Sequence, residues 1–155
     1  MYQDTNRDNK HSFGFTLIEL MLSIAIVSLL AGLSLPVYAS FNNRNDLDLA
    51  TQNVASTLRR AETYSRGAKA DNSWGVERQS GKVTLFKGTS FVGRDTTFDE
   101  STTIPPSVAL SGLNEVLFSK LSGLPTTTGN IILTLTTGGS ETRTVNINAK
   151  GVINY

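Results

Sequence analysis

Glu19 is the only charged side chain between Lys10 and Arg44 in this chain, and it stands inside a largely apolar run from Gly14 to Phe41. A carboxylate a few residues into an apolar helix costs about 2.5–3.5 kcal/mol to insert in lipid, so it calls for a cationic partner. The alternative is an acid at the end of a span, lying among headgroups. A second group able to do chemistry is the basic cluster Arg59, Arg60, Arg66 and Lys69. Cations in that position complement the negative end of a helix, and clustered Lys and Arg also bind phosphate. Lys150, near the C-terminus, is a further candidate for phosphate contact. Asp95, Asp99 and Glu100 could offer oxygen ligands to calcium, but the binding-loop glycine and ligand periodicity are missing, which favours a solvated loop. The one histidine, His11, lies near the start, and there is no cysteine. Beyond His11 the residues for Ser-His-Asp or Cys-His nucleophiles and for His/Cys zinc sites are therefore lacking. No Walker-type phosphate loop occurs. No catalytic residue, metal or cofactor is assigned.

The elements that must position these groups follow from patterning. The chain has 155 residues, 17% charged and 39% hydrophobic, with a formal net charge of +1. That suits one folded domain plus an anchor and provides no bulk field for nucleic acid. Residues 1–14 are polar, with Arg7, Lys10 and His11 set against Asp4 and Asp8. Phe15 to Phe41 exceeds the ~20 residues that cross a bilayer core and is apolar all round, unlike a soluble core helix. Gly32 and Pro36 weaken a helix there, Pro by about 3 kcal/mol in an interior, while Ala25, Ala31, Gly32 and Ser34 allow close helix approach. From Asn42 the surface turns polar, yet Leu47, Ala50, Val54, Leu58, Ala61 and Tyr64 recur at steps of three or four, one face of an amphipathic helix. Gly67 is a stop. One long helix over about residues 15–65 is expected.

Beyond Asp71 strands take over. Residues 75–79 and 82–87 flank Ser80-Gly81, a two-residue hairpin signal. Residues 88–107 are expected to be an irregular excursion. Short strands are expected at 108–110 and 115–118, then at 131–136 and 142–148 around the loop 137–141, and at 152–155. The fold class is α+β: a long N-terminal helix packed on an antiparallel sheet or small β-sandwich head.

Gly14-Phe15-Thr16-Leu17-Ile18-Glu19 resembles the cleavage and methylation site of type IV prepilins and of the pseudopilins of type II secretion. The resemblance implies that residues 1–14 are a cytoplasmic leader, that a prepilin peptidase cuts between Gly14 and Phe15, and that Phe15 is then N-methylated. Glu19 would pair with the N-terminal amine of a neighbouring subunit. It also implies a lollipop shape, with residues 15–41 as membrane or filament core, 42–66 as the amphipathic half of the same helix, and 67–155 as the head. Gly32 to Pro36 would be the segment that loses regular hydrogen bonding in filaments. The implied partners are other pilin or pseudopilin subunits, the peptidase and an inner-membrane assembly platform. The implied location is a single pass of the inner membrane, head outside the cytoplasm, then a periplasmic pseudopilus or a surface pilus.

The second half resembles pseudopilin H and FimT-like minor pilins. Leu58-Arg59-Arg60-Ala61-Glu62-Thr63-Tyr64-Ser65-Arg66-Gly67 carries the likeness, with Phe118-Ser119 through Gly123, Gly129-Asn130-Ile131-Ile132-Leu133, Arg143-Thr144-Val145-Asn146-Ile147 and the closing Gly151. DNA-binding FimT proteins carry arginines around the terminal glycine turn, where this chain has Lys150-Gly151-Val152-Ile153-Asn154-Tyr155. The expected function is a minor structural pilin or pseudopilin. A DNA-uptake subunit using Arg59, Arg60, Arg66, Lys69 and Lys150, and an anchored head never built into a filament, are the alternatives.

Overall fold

A computed structural model describes residues 14–155, with the side chains of residues 33–36 left aside. The side chains of Asp4, Arg7, Asp8, Lys10 and His11, and that of Pro36, lie outside the described residues. The chain divides into two compact units, with the boundary between Val37 and Tyr38.

In the first unit the backbone enters helix α1 (Leu17–Arg66), whose apolar side chains, from Leu17 through Leu30, are exposed. The helix is long and apolar enough to cross a membrane. It continues through Gly32 and Pro36.

In the second unit the last turns of α1 bury Leu47, Ala50, Val54, Leu58 and Ala61, the face expected from the spacing, together with Ala55, while Tyr64 is partly buried at its end. Two four-stranded antiparallel sheets supply the rest of the core. The first runs β3-β2-β1-β5 and the second β4-β6-β7-β8. The strands are β1 (Trp74–Gln79), β2 (Lys82–Lys87), β3 (Asp95–Thr103), β4 (Val108–Gly112), β5 (Glu115–Phe118), β6 (Gly129–Leu135), β7 (Thr142–Ile147) and β8 (Ile153–Asn154). β1 and β2 form the hairpin anticipated around Ser80-Gly81, with Gln79 opposite Lys82. Alternation decides which face turns inward: Ile131, Leu133 and Leu135 of β6 and Val145 and Ile147 of β7 are buried, and the residues between them are not.

One expectation is corrected. The stretch read as an irregular excursion contains β3, nine residues long and hydrogen-bonded to β2. Asp95, Asp99 and Glu100 therefore lie on an edge strand and not in a solvated loop. Each has a cationic partner: Lys87 at 2.9 Å for Asp95, Arg94 at 2.8 Å for Asp99, and Arg60 for Glu100. With their charges engaged by the chain itself, these acids are poorly placed to gather round a metal. Among the described residues no group of three or more acids, histidines or cysteines comes together.

Two polar devices join the layers. Arg78 of β1 reaches the second sheet, donating to the carbonyls of Leu110 and Leu113 at 3.1 Å and to Asn114. The guanidinium thus occupies carbonyls along the end strand β4, which on that side has no strand partner. At the end of α1, Ser65 is fully buried. Its Oγ accepts the Trp74 amide at 2.8 Å, and its carbonyl accepts the Leu121 amide at 2.8 Å. Glu141 in the loop between β6 and β7 and Arg143 at the start of β7 tie this end of the sheet to the packed helix, through Arg44–Glu141 at 2.8 Å and Asp48–Arg143 at 3.0 Å.

Candidate processing and assembly site

Gly14, Phe15 and Thr16 precede the helix and are exposed, and a Cβ placed on Gly14 would meet no atom within 4 Å. The Gly14–Phe15 bond is thus outside the regular helix ladder, in the open backbone a protease must handle. Thr16 is the residue before the helix. Its Oγ1 accepts the Glu19 amide at 3.3 Å and its carbonyl accepts the Leu20 amide at 3.1 Å. This is the N-cap arrangement, in which a threonine hydroxyl satisfies an amide that the first helical turn leaves unpaired.

Thr16-Leu17-Ile18-Glu19 has the spacing of a capping box, a signal readable in the sequence and missed there. It places Glu19 in the first turn, where the positive end of the helix dipole favours an anion. Ser23 Oγ donates to the Glu19 carbonyl at 2.7 Å one turn on. The carboxylate is exposed, and among the described residues no cation forms an ion pair with it. Cleavage after Gly14 would create an ammonium at Phe15, at the same end of the helix.

The basic cluster does not form one patch. Arg59 donates to the Ile153 carbonyl at 3.1 Å, and its guanidinium stands 5.1 Å from the Tyr155 ring centre. Arg60 turns the other way, onto Glu100 and Tyr64. Lys69 covers Tyr64 at 3.6 Å and Trp74 at 5.2 Å, which removes those aromatics as stacking surfaces. Arg66 pairs with Glu62 one turn back at 2.5 Å. Lys150 arrives from the turn between β7 and β8 and shares a groove with Arg59 and Arg66. The five cations thus fall into two groups. Hydrogen bonding from Arg60, then from Lys69, holds the Tyr64 hydroxyl below its ordinary pKa, in keeping with that second group.

A different titratable pair went unnoticed in the sequence. Glu77 of β1 lies directly opposite Glu115 of β5. Burial, then repulsion from Glu115, raises the Glu77 pKa, and its Oε2 is buried without a hydrogen-bond partner.

Comparison with known proteins gives a motif match near the start of the chain and a fold likeness over most of it. Residues 9–35 match the family model described as the prokaryotic N-terminal methylation motif. The fold is similar to two solved structures of the minor pseudopilin EpsH from the type 2 secretion system of Vibrio cholerae. The first match has 15% identity and a TM-score of 0.55, covering 70% of this chain and 94% of that one. The second has 12% identity and a TM-score of 0.50, covering 71% and 92%.

Proposed function

We propose, from the premise that a chain carrying a prepilin-type methylation motif on a pseudopilin-type fold is a member of the type IV prepilin and pseudopilin family, that this protein is a minor structural subunit assembled into a type II secretion pseudopilus or a type IV pilus. A peptidase hydrolyses the Gly14–Phe15 bond, leaving a carboxylate on the leader and an amine on Phe15, which is then methylated. The exposed apolar face of α1 leaves lipid for a bundle of like helices outside the inner membrane's platform, and the head presents the remaining surface. Burial of apolar side chains at about 25 cal/mol per Å² drives packing of the head and the parts of the bundle that leave water. The Glu19 carboxylate neutralises a neighbouring amine and so fixes register more than it adds strength.

The observation that carries this reading is the placement of Glu19: third in a helix capped by Thr16, immediately after an exposed Gly14–Phe15 bond. Glu19→Ala tests it. The variant should lose its leader at the normal rate and be depleted from sheared filaments relative to membranes. Incorporation equal to the parent would refute the pairing role.

A further inference from the structure

The end of α1 meets two turns of the head and leaves a groove of about 630 Å³. Its floor is Arg59, Glu62, Thr63 and Arg66 of α1, and its wall is residues 150–154. Arg59, Arg66 and Lys150 supply three positive charges against the single carboxylate of Glu62, which Arg66 already engages. Among the described residues Lys150 makes no side-chain bond or ion pair: its backbone amide is held by Asn148 and its ammonium is exposed.

One side of this basic groove carries an exposed apolar side chain, Val152. Gly151 is buried with φ +82, and a Cβ there would stand 3.2 Å from the Gly123 carbonyl and 3.5 Å from Glu62 Oε1. The turn of residues 148–152 and the loop of residues 119–124 therefore abut over the helix. That close approach brings exposed Val152 beside the loop that carries exposed Leu121 and Leu124, with exposed Tyr155 under Arg59. Leu121 is 69% exposed and holds φ +69, a left-handed conformation a leucine rarely adopts. Its amide bond to Ser65 and the Lys120–Asp71 ion pair on its other side keep it there. An apolar side chain displayed at the cost of backbone strain suits contact better than packing.

We propose that this groove docks an acidic, partly apolar polypeptide segment of a partner protein. Carboxylates meet Arg59, Arg66 and Lys150, and apolar side chains rest on Leu121 and Val152. A nucleic-acid backbone fits less well. It would gain little from the apolar side chains beside the groove, and the other two cations of the helix end, Arg60 and Lys69, face away.

The test is fluorescence anisotropy on the full chain in nonionic detergent. The probes are a labelled 12-residue peptide alternating Glu and Val, the same peptide with Gln in place of Glu, and a labelled DNA duplex. The Glu peptide should bind, more weakly as salt rises, and the Gln peptide should bind about tenfold less tightly. Lys150→Glu should weaken the Glu peptide about fivefold, and Leu121→Asn, which tolerates the left-handed backbone, about threefold. Trp74 emission and thermal melting of both variants should match the parent, which separates lost contact from lost fold. No binding of the Glu peptide, equal binding of the Gln peptide, unchanged affinity in both variants, or tighter binding of the duplex would each overturn the proposal.

Discussion

Replacing Ser65 by alanine removes one hydroxyl from the place where the helix, β1 and the loop after β5 are joined. In the native protein the Ser65 Oγ accepts the Trp74 amide at 2.8 Å and donates to the Trp74 carbonyl at 3.3 Å. Both residues are buried, Ser65 completely. The substitution leaves a buried amide without an acceptor, and a group stranded in that way costs about 1–3 kcal/mol. Little volume is lost, so no large cavity term is added. A destabilisation of about 2 kcal/mol should lower the melting temperature of a head of this size by about 6–10 °C. Trp74 is the only tryptophan of the chain, so its emission reports on the site itself during urea unfolding. Ser56→Ala is the control. Ser56 is exposed on the same helix and bonds only the Asn53 carbonyl. Its unfolding should stay within about 0.5 kcal/mol of the parent. If Ser65→Ala unfolds at the same urea concentration as Ser56→Ala, the helix end is not held as described.

Gly151→Ala should destabilise the head by about 1–2 kcal/mol, because alanine pays for the left-handed φ and its methyl crowds the Gly123 carbonyl; a thermal melt within 1 °C of the parent would contradict the contact. Glu77→Gln tests the carboxylate pair. The folded-state pKa of Glu77 is raised by burial and then by Glu115, so the native state holds this proton more tightly than the unfolded chain does. Stability contributed by the protonated group is complete below the unfolded value near 4.3 and is lost as pH rises through the raised folded value. Glu77→Gln should therefore unfold at higher urea than the parent at pH 7, with the gap closing towards pH 4. A gap that widens on acidification would reverse the assignment.

Much of the fold was legible because periodicity and punctuation agree. The helical face from Leu47 to Ala61, the Ser80-Gly81 hairpin and the alternation of β6 and β7 all appear as the spacing requires. β3 escaped for a physical reason. It is an edge strand whose only large apolar residue, Phe98, packs edge-on against Trp74, so it shows no buried face, and its acids are satisfied by Lys87, Arg94 and Arg60 from elsewhere. Part of the division of the basic cluster could have been read in advance. At 100° per residue Arg59 and Arg60 diverge, whereas Arg59 and Arg66, two turns apart, share a side of the helix. Lys150 joining them could not, because a turn 84 positions after Arg66 brings it there by tertiary packing. The Thr16 cap is written in the sequence as a threonine followed three residues later by a glutamate.

Processing of the exposed Gly14–Phe15 bond is tested most directly by intact mass with N-terminal sequencing of the chain from cells that contain a prepilin peptidase. The expected protein begins at N-methylated Phe15, and a Gly14→Phe variant keeps residues 1–14. A chain that still begins at Met1 while the peptidase matures other substrates in the same cells would contradict it.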